Sequence, residues 1–127
     1  MIKKDYLLRP LFVLLDEIVA KFSDVATSLT LAIKATKRDE VYQKYLNQSR
    51  EKILQTPNQE LIAQFADTKQ LELLVEIVYQ DFVIETDPII KKELHQKALA
   101  IFKHLASTSA NYDMLRAQKI KQLELWS

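Results

Sequence analysis

The residues of this chain that could carry out chemistry are few, and their spacing does not bring them together. The two histidines, His95 and His104, lie nine positions apart in one predicted helix, so they face opposite sides and cannot share a metal ion. No Glu is followed three residues later by His, as the di-iron motif of helical bundles requires. We interpret His95 as a histidine at the boundary of the core rather than as a catalyst.

Glu72 and Glu76 share one face of a predicted helix and could form a carboxylate pair for acid–base catalysis or for metal binding. The alternative is that they form the solvent-facing line of a helix that is otherwise buried. The sequence favours this second interpretation, because neither a His nor a third carboxylate aligns with them and Gln80 takes the next place on the line. We therefore assign no catalytic, cofactor-binding or metal-binding residue.

The composition excludes several further classes of site. The chain has no Cys, which excludes thiolate metal sites, disulfides and Cys nucleophiles, and no Gly, which excludes Walker and GxGxxG phosphate-binding loops. The only uninterrupted apolar run near the N-terminus is LFVLL, which is too short for a signal peptide, and no stretch is long enough to span a membrane. We expect a cytoplasmic protein that is not an enzyme, has no cofactor and has no membrane partner.

The charge is unevenly distributed although the net charge is only +1. Residues 1–50 hold 9 basic and 6 acidic residues, residues 51–90 hold 2 and 8, and residues 91–127 hold 7 and 3. This pattern indicates ends that pack near the middle, two subunits that meet, or solvated faces without a partner. We expect no nucleic-acid partner, because neither of the basic candidates has aromatic residues interleaved in a sustained basic stripe. Those candidates are KATKR at 34–38, and Arg116, Lys119 and Lys121.

Apolar residues recur at the helical period along the chain, and the segments between them use Asn, Asp, Ser and Pro. We predict an all-α fold, a small helical bundle of about five to six helices that forms a single domain over residues 1–127. Residues 1–55 hold the N-terminal helices, and residues 56–127 form a repeat-like helical half. The helix that contains LELLVEIVYQDFVIE should be the most buried.

Capping signals set the predicted helix boundaries. Thr56 before Pro57, Asp67, and Asp87 before Pro88 should each start a helix, and Ser109 or Asn111 should cap the last one. A break is expected near 37–39. Pro10 predicts either a kink or a late start in the first helix, because proline removes one hydrogen bond of a helix.

The stretch KALAIFKHLAST places Ala98 and Phe102 at the small and aromatic positions of a tetratricopeptide unit. The position where that unit has a Pro is Ala110, and the spacing between start signals exceeds 34 residues, so we predict core residues of a tetratricopeptide-like hairpin rather than a true repeat. Three stretches of the chain carry a resemblance to known proteins, and they are KKDYLLRPLFVLLDEIVAKF, LELLVEIVYQDFVIE and KALAIFKHLASTSANYDMLRAQKIKQL. In these stretches the chain resembles a family of small, uncharacterised, all-helical bacterial proteins. The resemblance implies this C-terminal hairpin and no assigned activity. Pro10 and the Gly-free turn STSAN depart from the family pattern.

The first predicted helix, residues 5–26, carries an apolar arc of about 160°, which is wider than the roughly 100° that a surface helix needs. The surplus forms a second line of residues, Leu8, Phe12, Leu15 and Val19, which we name the α1 line. One hypothesis is that a two-fold interface covers this line on both subunits. The alternative is that the helix lies at the centre of the bundle and is packed on both sides by its own chain.

These features favour a non-enzymatic protein–protein interaction or scaffold module that forms a homodimer and whose other partner the sequence does not name. The alternative is a small-ligand-binding or regulatory helical bundle with a pocket near Tyr79, Phe82 and Phe102. A deep apolar cavity lined by convergent polar groups would favour the ligand hypothesis. A flat apolar patch on the first helix would favour the contact hypothesis.

Overall fold

The structure is a computed structural model that describes residues 2–65, 67–108 and 114–126, with the side chains of residues 2–10 and 114–116 outside the description. The described residues form helices joined by short connections and contain no strand, which confirms the predicted all-α bundle. Seven helices are present in these ranges: α1 (Ile2–Ala26), α2 (Leu31–Leu46), α3 (Arg50–Gln55), α4 (Asn58–Gln64), α5 (Thr68–Ile84), α6 (Pro88–Thr108) and α7 (Met114–Leu125).

A helix begins within one residue of each of the three predicted start signals in the second half, and two of the three predicted caps are confirmed. The Asp67 carboxylate accepts a hydrogen bond from the N–H of Lys69, and the Asp87 carboxylate accepts one from the N–H of Ile89, so both cap the helix that follows. The prediction that Thr56 caps α4 is wrong. Its N–H and hydroxyl both donate to the carbonyl of Lys52, so Thr56 ends α3 instead of starting α4.

The first half is interrupted at other places than predicted. Helix α1 continues through Pro10, so a late start there is wrong, and α2 is unbroken across 37–39. The chain turns instead between α1 and α2, where Thr30 caps α2, and at Asn47, whose φ of 57° ends α2 in the left-handed conformation. Asn is the residue that best tolerates this conformation when Gly is absent. The predicted caps Ser109 and Asn111 lie outside the described residues.

Helix α5 is the centre of the bundle, as predicted, and packs against α1, α2 and α6. Helices α4 and α7 pack on α6, and α3 packs on α2. The side of α1 that faces the core buries residues at helical spacing. These residues are Leu11, Ile18, Phe22 and Val25.

Ala98 and Phe102 lie in the interface between α5 and α6, and both are buried. The small Ala98 lets the two helices approach closely, and the Phe102 ring packs edge-on against Tyr79 with 6.0 Å between ring centroids. The prediction that these two are core residues at a helix crossing is confirmed, and the likeness of this hairpin to a tetratricopeptide unit stays a prediction.

We expect Phe102→Ala to lower the free energy of unfolding by about 3–5 kcal/mol, because the change leaves a cavity between α5 and α6. Urea denaturation followed by circular dichroism measures this loss. Val83→Ala on the exposed side of α5 is the control and should cost less than about 1 kcal/mol. A loss at Phe102 no larger than that of the control would contradict the packing described.

Candidate interaction surface

His95 lies at the boundary of the core, where it contacts the end of α7. The Nε2 atom of His95 lies 2.5 Å from the carbonyl oxygen of Leu123, and its ring packs between Phe82 and Trp126, with centroids 5.7 and 4.7 Å away. His95 is half-buried and holds the end of α7 on the bundle. Within the three described ranges, no three or more His, Cys, Asp or Glu side chains come together in a way that could hold a metal ion.

Glu76 is not on a solvent-facing line, so that interpretation is wrong for this residue. Its side chain is buried, accepts a hydrogen bond from Gln80 at 3.2 Å and forms an ion pair with the ammonium of Lys119 at 2.9 Å. Lys119 also lies over the Tyr79 ring, 5.1 Å from its centroid. Lys119 therefore uses its charge to attach α7 to α5.

A buried charge cluster, formed by Arg38, Tyr42, Arg50, Asp81 and Glu85, joins α2 and α3 to α5. Asp81 is fully buried, and its carboxylate accepts hydrogen bonds from the Tyr42 hydroxyl at 2.5 Å and from Arg50 at 2.7 and 3.1 Å. Arg38 donates to the same carboxylate at 3.1 Å. The bidentate contact of Arg50 fixes its orientation, because the planar guanidinium matches a carboxylate.

Glu85 completes this charge cluster at the C-terminal end of α5. Its carboxylate accepts hydrogen bonds from the guanidinium groups of Arg38 and Arg50, each at 2.5 Å. It also accepts hydrogen bonds from the backbone N–H groups of Thr86 and Asp87, each at 3.0 Å. Burial alone would raise the pKa of Glu85, but the Asp87 N–H and the two guanidinium groups outweigh it, and the pKa falls below its ordinary value. A lowered pKa in the folded state means that this stabilisation is present at neutral pH and is lost as the pH falls through the folded-state pKa.

The two arginines and two carboxylates neutralise each other, so the charge cluster offers no net charge to an outside ligand. Burial and then the charge of Asp81 raise the pKa of Tyr42, which keeps its hydroxyl neutral and able to donate. Burial alone would lower the pKa of Arg50, but its hydrogen bond and charge contact with Asp81 raise it. The charge cluster acts as a structural joint between helices.

Ion pairs between the basic ends and the acidic middle account for part of the uneven charge distribution. Arg38 and Arg50 come from the basic first segment and Lys119 from the basic last segment, and all three pair with carboxylates of the acidic middle. Ends that pack on the middle of the same chain were one of the three sequence interpretations. Ion pairs also engage three residues of the basic candidates for nucleic-acid contact, namely Lys37, Arg38 and Lys119.

Sequence reasoning missed the charge cluster, although a signal was present. Asp81 lies inside the most apolar helix of the chain and Glu85 follows four residues later at its C-terminal end, so both lie on the same side of α5. Arg38 and Tyr42 have the same spacing on α2. A carboxylate inside an apolar stripe predicts a buried partner, because an unpaired buried charge is strongly unfavourable.

The predicted ligand pocket corresponds only in part to a groove in the structure. The groove is open to solvent, has a volume of about 400 Å³ and is lined by Tyr79, Phe82 and Trp126 among others, whereas Phe102 is not on its wall. The ammonium of Lys91 in this groove already donates to the carbonyls of Phe82 at 2.8 Å and Glu85 at 3.3 Å. The Tyr79 hydroxyl donates to the Gln122 side chain at 3.0 Å. The polar groups of the groove are therefore engaged by the chain itself.

The α1 line is the predicted surface that remains available. Phe12 is 53% exposed and Val19 is 42% exposed, while Leu15 is half-buried and packs against the core. The side chain of Leu8 lies outside the described residues. The opposite flank of α1 faces α2, where Asp24 forms an ion pair with Lys37 at 3.0 Å. The exposed positions of the α1 line thus lie on the flank that α2 does not cover.

Further exposed apolar side chains lie where α1 connects to α2, and sequence reasoning did not single them out. Leu29 is 97% exposed and Leu31 is 81% exposed, and Ile33 is also exposed. They follow directly after the C-terminal end of α1. The exposed apolar surface of the described chain is therefore concentrated in α1 and the start of α2.

Comparison with protein-family models, with curated proteins and with solved structures found no match for this chain. The resemblance to a bacterial family stays a prediction from sequence. Among the described helices, none is long and apolar enough to cross a membrane.

We expect Asp81→Asn to lower the free energy of unfolding by about 3–5 kcal/mol, because it removes a fully buried anion and leaves two partly buried guanidinium groups with one anionic partner. The control is Asp24→Asn, the same change at the exposed ion pair with Lys37, which should cost less than about 1 kcal/mol. Urea denaturation at pH 7 compares the two. Equal, small losses would show that the charge cluster does not hold α2 and α3 on α5.

Proposed function

We propose that this protein is a non-enzymatic protein–protein interaction module of the cytoplasm that acts as a homodimer through the α1 line. The observation that supports it is the exposure of Phe12 and Val19 beside Leu15, which is in contact with the core. Apolar side chains on one flank of a helix favour burial at about 25 cal/mol per Å² of surface removed from water. A partner that covers this flank would recover that energy.

A second copy of the chain is the partner that the α1 line suits. In a two-fold interface the same patch serves both subunits, so one apolar line on one helix is sufficient to form both halves of the contact. Phe12 provides an aromatic side chain at the centre of the line, and aromatic residues are enriched in the cores of interfaces.

A small-ligand-binding or regulatory bundle is the second candidate, and the aromatic wall of the groove at Tyr79, Phe82 and Trp126 favours it. Ligand sites usually combine an enclosed apolar cavity with polar groups that are free to orient the ligand. This groove is open, and Lys91 and Tyr79 already bond to the chain. The contact function is therefore the better supported of the two.

We expect the double variant Phe12→Asp with Val19→Lys to be a folded monomer, because it places charges on the apolar line where a second copy would dehydrate them. Light scattering reports the mass, and circular dichroism reports the fold. A dimer that survives both charges would contradict the proposal, and an unfolded chain would favour the central-helix alternative.

The matched control is Val13→Asp with Ala20→Lys. Both residues are exposed, have the same spacing of seven, and lie about 100° further around the same helix. This variant should stay dimeric. If the control dissociates while the first variant remains a dimer, the interface lies on the other exposed side of α1, which contradicts the proposal.

A further inference from the structure

We infer that the two copies pair through antiparallel α1 helices, with Leu8 of one copy opposite Val19 of the other and Phe12 opposite Leu15. The inference rests on the proposed homodimer and adds its geometry. A two-fold axis perpendicular to the helices gives this arrangement, whereas an axis along them would give a parallel pair.

The charge along α1 favours the antiparallel arrangement. By sequence, the charged positions within about 90° of the α1 line are Lys4, Asp5 and Arg9 in residues 2–10, with a net charge of +1, and Asp16 in residues 11–26, with a net charge of −1. These segments belong to one continuous helix, Ile2–Ala26. A parallel pair would place like-charged halves together, which is unfavourable, and an antiparallel pair places each basic half beside an acidic half.

The spacing of the α1 line defines the register. Its positions are separated by four, three and four residues, so the line is symmetrical about the point between residues 13 and 14. In the antiparallel register with its two-fold axis at that point, all four positions meet apolar positions of the other copy. Positions 9 and 16 both lie next to the α1 line, on the same side of it around the helix. The same register therefore places Arg9 beside Asp16 of the partner subunit.

The rest of the fold leaves room for this pairing. Helix α2 lies on the other flank of α1, held there by the ion pair between Asp24 and Lys37 and by the charge cluster that fixes α2 on α5. Helix α5 packs on the buried line that contains Ile18 and Phe22. A second α1 can therefore approach along the α1 line without displacing either helix.

Disulfide cross-linking tests the geometry directly, because the chain has no Cys of its own and every link reports introduced pairs. We would make Leu8→Cys and Val19→Cys as separate chains and oxidise each alone and as a mixture. In the antiparallel register, positions 8 and 19 of different copies are opposite each other. Position 8 of one copy and position 8 of the other are roughly 16 Å apart along the helix axis, and the same holds for position 19. This exceeds the roughly 7 Å limit between the Cα atoms of a disulfide.

The expected result is a disulfide-linked dimer on a non-reducing gel in the mixture only. Light scattering of the reduced chains accompanies each sample. A dimer in which Val19→Cys links to itself would overturn the inference and leave the homodimer intact, since it indicates parallel helices. A dimer with no link in any sample would also overturn the register. A monomer with no link would overturn the proposed homodimer itself.

The matched control is a mixture of Val13→Cys and Ala20→Cys chains. Both residues are exposed on another side of α1, and the register does not place them opposite each other. Circular dichroism confirms that every variant keeps the helical fold. Links in this control as strong as those between positions 8 and 19 would indicate random collision and contradict the register.

Discussion

The fully buried carboxylate of Asp81 is the constraint on which the arrangement of the first three helices depends. A buried anion must be neutralised and hydrogen-bonded, and Asp81 obtains this from Tyr42 and Arg38 on α2 and from Arg50 at the start of α3. These contacts fix where α2 lies on α5. Because α1 packs in the angle between them, its buried line and its free flank are fixed as well.

The parts of the fold that sequence could predict are those that local interactions determine. The caps Asp67 and Asp87, the buried α5 and the core positions Ala98 and Phe102 follow from spacing along a few turns. The break expected near 37–39 was wrong for a non-local reason. Arg38 lies in that stretch and bonds to Asp81 and Glu85, which are 43 and 47 positions away in sequence.

The candidate surface was predictable only as a position on a helix. The period of α1 identifies the line with Phe12 and Val19, but whether another part of the chain covers it depends on α2 and α5. Glu76 shows the same limit, because its partner Lys119 comes from a helix 43 positions later. The exposed Leu29 lies in the connection before α2 and Leu31 is the first residue of that helix, where no preceding periodic pattern indicates whether a side chain is covered.

Sedimentation velocity of the unmodified chain over a range of concentrations tests the central claim, that the exposed flank of α1 is covered by a second copy. A homodimer predicts a folded species of roughly twice the 14.8 kDa mass of the chain, with monomer appearing only on dilution. A folded monomer at every concentration would contradict the claim and leave the α1 line without this partner.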